Sequence, residues 1–370
     1  MLKYSLAVIL IAVSTTFAFA QEPGRHHPPR LTPQTSGTTQ LLISVSPVND
    51  RVVWAAGAGG VYVVTTDGGE HWISAVVPGA EEEQFRDVHA VSDRVAYLMS
   101  IGNNTTDFRV YKTIDGGAHW TIEFTNQDPL AFYDCFSFWT PDRGITHSDS
   151  GNGVFPDIRT FNGNTWQSIA ANMPPALPGE ASFAASGTCI TTQGEKNAWI
   201  TTGASTIARI LATRDGGNTW HAYNTPLVSN PSAGGISVAF RDSRHGIVGG
   251  GDLSSNTSAD AATSDDGGQT WTLPNQPPVQ GAIFCLAYIR GMQQGDNDDD
   301  FRFGDDRDHT VLITTETEPN FTSGEAAWTP DEGRTWFTLP QVSGYWAVAF
   351  ASPEAGWFVG NNGQILKISF

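Results

Sequence analysis

One phrase, repeated along the chain, restricts its fold more than anything else in the sequence. "TTDGGEHW" at 65–72 returns as "TIDGGAHW" at 113–120, "TRDGGNTW" at 213–220, "SDDGGQTW" at 264–271 and "TPDEGRTW" at 329–336. A worn copy, "TFNGNTW", occupies 160–166. Each copy opens on Ser or Thr, places Asp or Asn two residues later, supplies Gly one or two residues after that and closes on Trp. Asp and Gly between apolar runs mark a hairpin, because the carboxylate bonds nearby backbone N–H groups and Gly accepts positive φ. The Trp then folds back as an apolar plug with its indole N–H available to a carbonyl. Asp67, Trp72, Asp115, Trp120, Asp215, Trp220, Asp266, Trp271, Asp331 and Trp336 are thus structural residues, and His71 and His119, which replace Thr, hydrogen-bond the turn.

The spacing turns this local signal into an architecture. Successive closing tryptophans lie 48, 46, 54, 51 and 65 residues apart, about the length of one four-stranded propeller blade. Strands pairing a small residue with a large one recur at Ser44-Val45, Ala90-Val91, Ser137-Phe138, Ala239-Phe240, Ala287-Tyr288 and Ala349-Phe350, with "GTCI" around Cys189 in the remaining slot. These are seven innermost strands. The seventh unit has room for only three strands before Phe370, so a segment within 30–40 must supply the fourth and close the ring, which removes exposed sheet edges. The reading is all-β: a single seven-bladed β-propeller over 30–370.

Composition bounds what such a disc meets. With 38 acidic and 20 basic residues the formal charge is −18, which disfavours nucleic acid and anionic lipid. Residues 1–20 hold an apolar run from Leu6 to Val13 and an Ala-x-Ala end, the pattern of a secretory signal, followed by a Pro-rich segment at 21–29. The apolar run is too short to span a bilayer. The expected protein is exported, periplasmic or secreted, and monomeric, without a transmembrane segment. Cys135, Cys189 and Cys285 are expected to be buried free thiols, since a chain this long needs no disulfide to hold its core.

The boxes resemble the BNR or Asp-box motif of sialidase-like propellers. The fuller unit, as in "AVAFASPEAGWFVGNNGQILKI", resembles the photosystem II assembly and stability factor family and its bacterial relatives over roughly 38–370. That resemblance implies a protein partner, met during assembly or maturation of an envelope or secreted complex. A fold of this kind hosts unrelated activities, so function must be read from a site.

Loops after first and third strands share one face, and loops after second and fourth strands share the other. The boxes occupy the first. The second carries longer polar loops, where Asp107, Arg109, Asp157, Arg159, Asp252 and Asn256 are the candidate binding residues, expected near the mouth of the central channel. The insert at 292–309 has seven aspartates between Asp296 and Asp308, a composition that suits weak Ca²⁺ binding, but Phe301 stands where a calcium loop needs Gly and Arg307 where it needs Glu. No cofactor, zinc motif, nucleophile elbow or dinucleotide fingerprint is present. The Arg-Ile-Pro motif of sialidases is also absent. A non-catalytic scaffold is therefore expected. The alternatives are a carbohydrate-active propeller, lectin-like or a glycoside hydrolase, for which Phe108, Phe155 and Phe321 are candidate sugar platforms, and a domain working only inside a larger secreted assembly.

Overall fold

A computed structural model describes residues 28–370 apart from 103, 258, 290–308, 318 and 319. The expected signal, most of the Pro-rich segment and most of the acidic insert lie outside the described residues.

Seven antiparallel sheets follow one another around an axis, each innermost strand touching the next and the seventh touching the first. The innermost strands are Leu42–Pro47, Gln84–Ala90, Tyr133–Thr140, Ile190–Gln193, Ala233–Phe240, Ala282–Tyr288 and Tyr345–Ser352, which define blades 1 to 7. Five of the expected small-large pairs fall within these strands, Ala90-Val91 straddles the end of the second, and Cys189 immediately precedes the remaining one. Ring closure is as the count required: Arg30–Thr35 pairs antiparallel with Gln364–Ser369, from Arg30 opposite Ser369 to Thr35 opposite Gln364. Six sheets have four strands. In blade 5 the fourth strand shrinks to a bridge between Thr263 and Thr272. Pro274, Pro277 and Pro278 lack the N–H groups a strand needs there. The Gln276 side chain substitutes for backbone, its Oε1 accepting from Ala261 N–H at 2.8 Å and its Nε2 donating to Ala261 C=O at 3.2 Å.

The core lies between blades, and each closing Trp packs into a different cluster. Within the box at 213–220, Thr213 Oγ1 donates to Asp215 Oδ1 (2.8 Å) and accepts from Gly217 N–H (3.0 Å), while Asp215 Oδ1 accepts from Asn218 and Thr219 N–H (3.0 and 2.9 Å). Gly216 and Gly217 sit at φ 71° and 80°, which a side chain would strain. The worn copy keeps the pattern, with Thr165 N–H bonding Asn162 Oδ1 at 2.9 Å. His71 and His119 do bond the turn, each Nδ1 lying 2.8 and 2.7 Å from its carboxylate. The indoles are less uniform than expected: Trp271 and Trp336 donate to carbonyls, Trp72 donates to the Gln34 side chain, and Trp220 buries its N–H without a partner among the described residues.

One expectation is corrected. Cys135 and Cys189 form a disulfide, and Cys285 alone is a buried thiol. The reason is geometric rather than a need for core stability. Innermost strands carry a bulge at equivalent positions, and pairing resumes after it at Asp87, Cys135, Ser237 and Cys285. The side chain at that position reaches the next blade. Asp87, Ser237 and Cys285 accept from the N–H of Phe136, Leu286 and Val348. At Cys135 the neighbouring side chain is another cysteine with Cα atoms 6.0 Å apart, within bridging range.

Candidate functional site

The long-loop face is organised by a position that recurs four residues before the opening Ser or Thr of a box. Arg109, Arg209, Asp260 and Glu325 occupy it in blades 2, 4, 5 and 6. Each begins or immediately precedes a third strand, and each clamps the loop that leads into its own blade. Arg109 ion-pairs with Glu83, and Arg209 ion-pairs with buried Glu180 through Nη2 while its Nε donates at 2.8 Å. Asp260 accepts from Val228 N–H at 2.7 Å, and Glu325 from Gln280 N–H at 3.1 Å. A loop clamped at its base by a charge-assisted bond is held rigid.

The six candidate residues are not gathered around one point. Asp107 accepts from Asn104 N–H at 2.8 Å and closes its own turn, 3.8 Å from Arg109. Asp157 is buried, bonding His147 Nδ1 and Ser148 N–H at 2.9 Å each. Asp252 accepts from Ser232 Oγ (2.8 Å) and from Ser254 N–H (2.9 Å) and Oγ (2.7 Å). These bonds, led by the Ser254 N–H, hold its carboxyl down at about 2. Asn256 is exposed in the same loop. Arg159 is the displaced member, because its guanidinium reaches the opposite face, donating to Gly216 C=O (3.2 Å) and Asn218 Oδ1 (2.9 Å) of blade 4's box. Its strand is only three residues long, so the side chain spans to the turn beyond it.

The channel mouth on this face is stopped. Ile43, Ala185, Ile236, Ala282, Phe284 and Trp346 form one cluster with Phe183 and Phe321 packed against it. They come from blades 1, 4, 5, 6 and 7, which can meet only on the axis. Arg86 of blade 2 crosses to lie over the Trp346 ring at 5.8 Å and donates to Ala184 C=O at 2.7 Å. Burial pulls its basicity down to about 10. Beside this plug burial pushes the carboxyls of Asp134 and Asp149 up, and the first is raised further by the second. Glu316 is likewise pushed up to about 8 by burial, although Gly324 N–H bonds it. The plug was missed in sequence because its members are spread over five blades with no common spacing.

The candidate sugar platforms face inward. Phe108 is 6% exposed, Phe155 is fully buried, and Phe321 packs on Phe284 and Trp346. One groove of about 780 Å³ runs elsewhere, between the closing strand and Ser74–Val76 of blade 1, where blades 7 and 1 meet. Among the described residues, Asp67, Glu70 and His71 are the group with metal-ligand proximity, and Asp67 and His71 already bond one another in their box.

Cations are distributed unevenly. Among the described residues, Arg86, Arg109 and Arg209 are the ones belonging to the long-loop face, and all three are drawn into the contacts above. The others lie at the face of the repeated turns.

No family model matches the chain. A curated relative, the photosystem II assembly protein Ycf48 of Synechococcus sp. (strain JA-2-3B'a(2-13)), is 25% identical over 292 residues, covering 68% of this chain and 77% of the relative. The solved structure of YCF48 bound to D1 peptide superposes with a TM-score of 0.63 and 16% identity, covering 93% of this chain and 98% of that one. A GH74 xyloglucanase from Xanthomonas campestris gives a TM-score of 0.55 and 13% identity, and this chain spans 53% of it. The resemblance to the photosystem II assembly factor family is thus found again in a curated sequence and in solved structures, and the structures bear on the fold.

Proposed function

We propose that this chain is a non-catalytic scaffold that binds a protein during assembly or maturation of an envelope or secreted complex, after export directed by residues 1–20. The observation that carries the reading is the stopped channel beneath clamped loops, which makes the long-loop face a closed, rigid surface. Such a surface recognises by complementarity, and preorganised loops lose little entropy on binding. The curated relative is named an assembly protein and a structural neighbour holds a peptide, which supports the same class of partner.

Carbohydrate binding is the second reading, favoured by the xyloglucanase neighbour. The inward packing of Phe108, Phe155 and Phe321 weighs against it, because a sugar ring needs an exposed aromatic face. Affinity capture of the tagged mature protein from native envelope and culture fractions, read by mass spectrometry beside a polysaccharide panel that includes xyloglucan, separates the two. A protein recovered reproducibly supports the scaffold. Retention on polysaccharide with no protein recovered overturns it.

A further inference from the structure

Over blades 2 and 3 the long-loop face carries an apolar crest with an acidic edge. Leu130, Phe132 and Val154 are 54%, 37% and 47% exposed. Their backbones are nonetheless fixed. Leu130 N–H donates to Asp128 Oδ1 at 2.9 Å, and Asn126 Nδ2 ties the carbonyls of Asp128 and Ala131 at 3.0 and 3.3 Å. Phe132 N–H donates to Ser148 Oγ at 3.0 Å, its carbonyl accepts from Asp149 N–H at 2.9 Å, and its ring stands edge-on to Phe108 at 4.9 Å. Val154 sits in a turn that bonds Gly151 in both directions, at 2.9 and 3.0 Å, and Leu130 lies against Gly151. The three residues are exposed on loops that meet at Gly151 and at the Phe132 pairing, and their backbones form a fixed frame. A contiguous apolar patch with a polar rim marks an interaction surface.

The rim decides what fits. Asp107 and Asp128 border the crest, joined to it through the Phe108–Phe132 ring contact and through Asn126 N–H, which donates to Phe108 C=O at 2.9 Å. Glu81 and Glu82 are exposed in the loop entering blade 2. Arg109, the cation at this rim, is held by Glu83. We propose that the crest binds a peptide segment of a partner protein carrying large apolar side chains flanked by lysine or arginine. This rests on the protein-binding reading and specifies its chemistry: the apolar centre supplies residence time, and the acidic rim supplies encounter rate and orientation.

The test is selection of phage-displayed random 12-residue peptides on the mature wild-type protein. Synthetic copies of the enriched peptides are then measured against Leu130→Ser, Val154→Ser and Asp128→Asn, the last keeping the turn cap while removing its charge. Enriched peptides should combine large apolar residues with Lys or Arg. Affinity should fall about tenfold or more in the two serine variants, fall less in Asp128→Asn, and weaken between 50 and 500 mM salt, with melting unchanged in all three. Acidic peptides, or peptides that bind all variants as they bind wild type, would overturn the crest and leave the protein-binding reading to another surface. Absence of any enriched peptide would remove the crest as a peptide site, and the capture experiment above would then stand alone for the wider reading.

Discussion

On the face of the repeated turns, Asp215 is occupied by the N–H groups and hydroxyls of its own turn, and Arg159 of the preceding blade bonds the same turn from outside. On the opposite face, acids such as Glu180 and Glu83 instead receive an arginine from their own blade and tie a loop to it. The turns bind neighbouring blades together and recur at six of the seven junctions. The loops are clamped individually, and between the clamps their sequences differ. What repeats in a propeller is what makes it a ring, and what varies is available to a partner.

Deleting 30–35 removes the strand that closes blade 7 and exposes a sheet edge, so the melting temperature should drop on the order of 10 °C or more. An unchanged melt would mean the ring is not held by this strand. Arg209→Met leaves Glu180 buried without its partner and should cost about 3–5 kcal/mol in chemical denaturation. A loss below that of a turn variant would place the rigidity of the loop face elsewhere.

Glu316 gives a pH-dependent contrast. Its folded value of about 8 lies above its ordinary 4.5, so the stability it lends is complete below about 4.5 and is lost as pH rises through 8. Wild type and Glu316→Gln should therefore melt alike near pH 4.5, with the variant gaining steadily toward pH 8 and the gap level beyond it. A gap that does not change with pH would remove the buried, protonated carboxyl from the account. The smallest effect is Asp215→Ala, about 1–2 kcal/mol for one lost turn cap, with partner binding intact. Loss of binding without loss of stability would reverse the roles of the faces.

Much of this was legible in the sequence because a ring multiplies its own signal. The boxes, the blade period and the closing strand followed from Asp215-like turns and from counting strands before Phe370. The disulfide was not, although Cys135 and Cys189 precede or occupy equivalent strands of adjacent blades, and equivalence across one blade junction is the relation that brings side chains together. The clamp position was also present, four residues before four of the boxes, but its occupants are Arg in two and an acid in the other two. Arg159 was misplaced because sequence fixes the strand a residue stands on and leaves open which face a long side chain reaches. The crest had no signal beyond isolated apolar residues, since Leu130 and Val154 become neighbours only when Gly151 brings their loops together.

On the proposed reading the loop face, not the turn face, meets the partner. The most direct measurement is quantitative capture of the recovered protein by three forms of the chain: wild type, Leu130→Asp with Val154→Asp on the loop face, and Ile114→Asp with Phe161→Asp on the turn face, where both residues are also exposed. Recovery is expected by wild type and by the turn-face variant, with loss in the loop-face variant at unchanged melting temperature. Loss confined to the turn-face variant would contradict it.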